Sequence, residues 1–131
     1  MEIVITQWGL DSYLKLRHEQ VFSGEEYWGT IRPDVLRLSN YPADPKFQAG
    51  KFWSPATDGN GSIPGGFKMK WHQVGPGSDQ LRVPVFVRGD AYLCGAYIKH
   101  GPQDDRRYLA HFKTHIEKIA EGDFHICGRL T

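Results

Sequence analysis

Residues 65–77 read GGFKMKWHQVGPG, and how this stretch folds decides how the rest of the chain is arranged. Phe67, Met69 and Trp71 alternate with Lys68, Lys70 and His72. A period of two gives a strand with one apolar face and one cationic face. The glycine–proline turn that follows ends the strand and sends the chain back.

Two further strands fit the pattern downstream. Residues 81–87 and 91–99 are apolar and β-branched, and the links VGPGSD and RGD suit the tight connections of an antiparallel meander. Between two apolar runs, Arg-Gly-Asp reads as a turn, not an adhesion signal. Pro84 cannot donate to a ladder, which predicts an edge position or a bulge.

Working outward, residues 2–7 fit a short opening strand. Leu10, Tyr13 and Leu14 form a helical stripe. Ser23 and Glu26 have capping-box spacing and predict a second helix, which Pro33 must kink or split. The two helices make a helical hairpin. Residues 41–66 are rich in Pro, Gly, Asp and Asn and read as a long irregular loop, pinned by Phe47, Phe52 and Trp53. Pro102 and Asp104 start a last helix, Leu109, Phe112, Ile116 and Ile119 give it an apolar stripe, and Gly122 stops it. The tail DFHICGRLT adds a short strand. The expected fold is a small single α+β domain over residues 1–131, with helices on one face of a curved antiparallel sheet.

Composition narrows the function classes. A chain of 131 residues that is 40% hydrophobic, with 4 Trp, 6 Tyr and 7 Phe, can close one core. No apolar run reaches the ~20 residues that cross a bilayer, and the N-terminus lacks the pattern of a signal peptide, so a cytoplasmic protein is expected. Cys94 and Cys127 have no metal or redox spacing and read as free thiols, with a disulfide left open. The net charge of +1 argues against a generic nucleic-acid binder. The charge is unevenly placed, however. Residues 66–113 hold 8 Lys/Arg against 4 Asp/Glu, whereas residues 1–65 hold 6 against 8.

Alternation and turn geometry bring several basic side chains towards one surface. Lys68, Lys70 and His72 share a strand face, Arg82 lies on the next strand, and Lys99 and His100 end the third. Arg106, Arg107 and Tyr108 open the helix after it. A concave cationic site of this kind suits metal-independent RNA cleavage. A base takes the 2′-hydroxyl proton, cations stabilise the charge growing on the phosphate, and an acid protonates the leaving oxygen. A lysine among other cations has its pKa pulled towards neutrality and becomes a candidate base. A tyrosine can stack on an RNA base. Against this stands the plain reading that surface lysines are merely solvated. His111 and His115 have the i, i+4 spacing of metal ligands but no third partner in sequence, and no metal or other cofactor is expected.

In order and spacing, FKMKW, LRVPV, LCGAYIKH and DDRRYLAHFKTHIEKI resemble the cationic strand, the arginine strand, the apolar strand with a basic end and the last helix of RelE/ParE-superfamily toxins. These come from bacterial toxin–antitoxin modules. VITQWGLDSYLKL resembles the family's opening strand and helix. The resemblance implies a RelE-like fold and an mRNA interferase, an endoribonuclease and hydrolase that cuts mRNA on the ribosome and is neutralised by a cognate antitoxin. By position it makes one of Lys68 and Lys70 the general base and the other an electrostatic stabiliser. Arg82 holds the scissile phosphate, Lys99 or His100 is the acid, and Tyr108 orients or stacks on a base. His72 has no fixed counterpart and is a further candidate base, and His72, Arg106 and Arg107 are candidate RNA contacts. Two alternatives share the fold: a ParE-like toxin that inhibits gyrase, for which the lysine pair is not needed, and a non-catalytic protein-interaction module.

Overall fold

The computed structural model describes residues 1–131. Its elements are β1 (Ile3–Thr6), α1 (Gln7–His18), α2 (Gly24–Glu26), a π-helical turn (Tyr27–Ile31), α3 (Arg32–Leu36), β2 (Trp53–Asp58), β3 (Gly61–Val74), β4 (Asp79–Arg88), β5 (Asp90–Leu93), β6 (Tyr97–Ile98), α4 (Pro102–Glu121) and β7 (Ile126–Leu130). They form one small α+β domain around a mixed sheet of order β2-β3-β4-β5-β1-β7, with β6 pairing to β4.

β3 is the long central ribbon expected from its alternation. Met69 and Trp71 are buried on one face, with Phe67 packed beside them, while Lys68 and Lys70 point to the other. The large cluster on the Met69 face gathers Phe22, Ile31, Val35 and Leu38 from the helical hairpin. A second cluster joins Phe86 of β4 to Leu109, Phe112 and Ile119 of α4. Helices therefore cover both faces of the sheet, not one. The apolar stripe of α4 needs a surface of its own, and Gly66 provides it: a Cβ there would stand 3.0 Å from the Phe112 ring.

The sheet is also not wholly antiparallel. β1 lies parallel to β5, pairing Ile3 with Ala91, and antiparallel to the tail strand β7. Residues 41–66 are only partly irregular. β2 and the first half of β3 form a hairpin, and the Asp58 carboxylate accepts from Asn60 N–H at 2.7 Å to shape its turn. The two-residue Gly59–Asn60 turn between the paired Asp58 and Gly61 is a strong hairpin signal hidden among other turn residues. Trp53 stacks on Phe67 at 4.8 Å across this hairpin, and Phe47 and Phe52 are buried beside it.

Residues 91–99 break into β5 and β6, and the break resolves the position of Pro84. This proline sits in a central strand, opposite Lys68. Its carbonyl accepts from Cys94 N–H at 3.0 Å. A strand residue points N–H and C=O to the same side, so the missing N–H falls where β5 has ended and β6 has not begun.

Local signals hold elsewhere. The Ser23–Glu26 capping box is complete in both directions. Pro33 stands in the first turn of α3, straight after the π turn, where its missing donor is absorbed. Gly122 ends α4 at φ 76°, and Arg88-Gly89-Asp90 is a tight turn with Gly89 at φ 73°. Cys94 is buried, Cys127 is exposed, and both are free thiols. No helix is long and apolar enough to cross a membrane.

Candidate functional site

The α4 side of the sheet carries the candidate site. Lys70 of β3 pairs with Arg82 of β4, and Arg82 in turn pairs with Tyr97 of β6. Cross-strand partners share a face and lie about 5 Å apart. Lys68 flanks this row two residues back along β3, and Lys99 flanks it just past the end of β6. Four cationic side chains, from β3, β4 and the end of β6, therefore converge under the first turn of α4.

One carboxylate meets them. Asp105 Oδ2 stands 3.0 Å from Lys99 Nζ and 3.7 Å from Lys68 Nζ, and the Tyr97 hydroxyl donates to Asp105 Oδ1 at 2.5 Å. The lysines are well covered, with side chains 14% exposed for Lys68 and 29% for Lys99. Sequence reasoning missed both Asp105 and Tyr97. Asp105 reads only as an acidic residue at a helix start, and Tyr97 as part of an apolar strand. The i, i+2 spacing of Tyr97 and Lys99 was the available signal, since it puts them on one face.

Burial and mutual repulsion tune the cluster. Burial pulls the Lys68 ammonium below the usual lysine range, with Asp105 opposing and Lys99 and Arg82 assisting. Lys70 is also lowered, first by burial, then by Lys68, Arg82 and Lys99. It makes no ion pair of its own, so no carboxylate opposes the loss of its proton at contact distance. Burial works to raise the Asp105 carboxyl. The Tyr97 hydroxyl, Lys99 and Lys68 outweigh it and hold the carboxyl below its usual value. Burial and the Asp105 hydrogen bond push the Tyr97 phenol strongly upward, so it stays a donor.

Arg82 is placed differently from the expectation of a free phosphate clamp. It is 4% exposed, and its guanidinium donates to the Leu81 carbonyl at 3.2 Å, the Trp71 carbonyl at 3.4 Å and Gln80 Oε1 at 2.8 Å. Its Nε is buried without a partner. Arg82 contributes a fixed positive charge beneath the lysines instead of a mobile fork.

The other candidates lie around this centre. His72 is exposed, and its Nε2 donates to the Lys51 carbonyl at 2.6 Å. Lys70 and His72 border a cleft of about 380 Å³ that Lys51 also lines. His100 is exposed at the loop before α4, where its backbone N–H donates to Asp104 Oδ2 at 2.7 Å. Arg106 is exposed on α4 and borders a cleft with His100. Arg107 stacks over Tyr108 at 4.8 Å and pairs with Asp104 at 3.6 Å. Tyr108 stacks on Tyr97 at 4.5 Å with rings nearly parallel at 4°. That contact ties the aromatic of α4 directly to the Tyr97–Asp105 pair.

A second cleft, about 570 Å³, separates α1 from α4 and is bordered by Trp8, Asp11, His100, Arg107 and His111. His115 stacks on Trp8 at 4.0 Å, and its Nδ1 is buried without a partner. His111 and His115 gain no third residue to complete a metal-binding group. No protein-family model, no curated protein and no solved structure matches this chain.

Proposed function

We propose that the cationic cluster is a phosphodiester site and that the protein is a RelE-like toxin, a metal-independent endoribonuclease acting on mRNA at the ribosome. The observation that carries this reading is the convergence of Lys68, Lys70, Arg82 and Lys99 on one half-buried surface with a single carboxylate among them. One buried and three half-buried cations against one acid is an unfavourable arrangement for stability alone, and it suits a ligand that brings negative charge of its own.

The roles follow from the surroundings. Lys70, free of ion pairs and lowered in pKa, removes the 2′-hydroxyl proton. The 2′ oxygen attacks the adjacent phosphorus, and the bond to the 5′ oxygen breaks. Lys68 and the fixed charge of Arg82 stabilise the extra negative charge on the phosphorane. The 5′ oxygen takes a proton from Lys99 or His100, adjacent at the end of β6. The products are a 2′,3′-cyclic phosphate and a free 5′-hydroxyl. Tyr108, Arg106, Arg107 and His72 line the approach and contact flanking nucleotides. The cognate antitoxin is an acidic chain that covers the same surface.

Induced expression of the wild type and of the Lys68→Ala/Lys70→Ala double variant, with primer extension on cellular mRNA, tests the reading. Growth arrest with discrete mRNA cuts, both lost in the folded double variant, supports it. Arrest that survives the double substitution points to a gyrase-type toxin, and no arrest at all points to an interaction module.

A further inference from the structure

The proposed site already holds an anion, and that anion belongs to the protein. Asp105 sits in the first turn of α4 and reaches down to the sheet, where Lys99, Lys68 and the Tyr97 hydroxyl all meet its two oxygens. Three donors converging on two oxygens from below is the arrangement a phosphate group meets in a protein site. We propose that Asp105 is a built-in competitor for the substrate phosphate: its carboxylate occupies the phosphate position in the free protein and is displaced when RNA binds. The inference rests on the phosphodiester reading and adds an autoinhibitory contact to it.

Three observations favour exchange over a permanent structural pair. The neutralisation is incomplete, because Lys70 has no acidic partner and Arg82 Nε is buried with no partner at all. A phosphodiester offers two non-bridging oxygens and ester oxygens to the same donors, so it replaces every contact Asp105 makes. Leaving is also sterically simple. Asp105 is half-buried in the outermost turn of α4, so its side chain can swing out without moving the helix. The stack of Tyr97 on Tyr108 holds the donor in place after the carboxylate departs. In the exchanged state Lys68, Lys99 and Tyr97 face the phosphate and Lys70 faces the 2′-hydroxyl.

The competition has a measurable sign. Removing the charge at Asp105 strengthens RNA binding, whereas removing a substrate-positioning or fold-supporting residue weakens it. The probe is a fluorescein-labelled, 2′-O-methyl RNA oligonucleotide, which binds without being cut, read by fluorescence anisotropy at fixed salt. Asp105→Asn is expected to bind about five- to tenfold more tightly than the wild type, the scale of one released ion pair. Asp105→Glu, which keeps the charge, is expected to bind no more tightly than the wild type. Asp105→Ser also removes the charge and leaves the Tyr97 hydroxyl free for the phosphate, and serine is accepted at a helix start. It serves as the second variant should Asp105→Asn fold poorly, with tighter binding than the wild type again expected. Equal or weaker binding by both Asp105→Asn and Asp105→Ser, while Lys68→Ala/Lys70→Ala abolishes wild-type binding, overturns the competitor role and leaves the phosphodiester site standing. Failure of every protein to bind overturns both.

Discussion

The indole of Trp71 donates to Asp34 Oδ2 at 2.9 Å, joining the apolar face of β3 to helix α3. The other oxygen of the same carboxylate accepts from Lys46 Nζ at 2.6 Å and Arg37 Nε at 3.1 Å. Asp34 is 6% exposed, so three separate segments are fastened to one buried acid. Replacing it with alanine leaves the Trp71 N–H without a partner in the interior. We predict that Asp34→Ala costs about 2–3 kcal/mol in urea unfolding. Trp71→Phe in the same background should cost less than it does alone, because the two share one interaction.

Two glycines with similar backbone angles should respond very differently to alanine. Gly75 has φ 68°, and a Cβ there would stand 1.8 Å from the Val21 carbonyl oxygen. Gly89 has φ 73° but open space around it. Gly89→Ala is expected to cost about 1–2 kcal/mol, the left-handed backbone penalty alone. Gly75→Ala must also move the β3–β4 turn away from the α1–α2 link and should cost over about 3 kcal/mol. Thermal and urea melts of the two variants check the difference.

His115 gives the fold a pH dependence of known sign. Burial first, then His111 and Lys118, lowers its pKa to about 4 from an ordinary 6.5. Asp11 borders the same cleft from α1. With the folded value below the unfolded one, the unfolded chain binds the extra proton first. Stability is therefore full above pH 6.5 and falls as pH drops towards 4. Wild-type stability should decline across that window, and His115→Phe, which keeps a ring against Trp8, should flatten the decline.

Cleavage should carry the signature of a lysine base. With the Lys70 pKa lowered by burial and by its cationic neighbours, the neutral fraction grows about tenfold per pH unit below that pKa. The rate is expected to rise with pH and to level off only above the Lys70 pKa. Lys70→Arg keeps the charge but cannot give up a proton. It should cut the rate ~10²–10⁴-fold while leaving RNA affinity near the wild type.

Local chemistry made much of this architecture legible. The alternation of Phe67 to His72, the Ser23–Glu26 capping box and the stop at Gly122 each act within a few residues, and each stands where the sequence puts it. Non-local choices were hidden. Nothing in Ile3–Thr6 says that it pairs parallel with Asp90–Leu93, because that partner is fixed by how α1 returns the chain. The two-sided helix packing depended on Gly66 making room for Phe112, a contact between distant segments. The hairpin turn at Gly59–Asn60 was masked by the turn residues around it. At the site, periodicity placed Lys68, Lys70, Arg82 and Lys99 on one surface. It could not reveal that Asp105 descends from α4 to meet two of them, or that Arg82 is tied to backbone carbonyls. Those facts depend on tertiary geometry, and they redistribute the expected roles.

The decisive measurement is the chemical identity of the RNA ends that purified protein makes on ribosome-bound mRNA. The phosphodiester account predicts discrete cuts ending in 2′,3′-cyclic phosphate with wild-type protein, and none with folded Lys70→Arg. Absence of cutting by the wild type, or cutting that persists undiminished in Lys70→Arg, would contradict it.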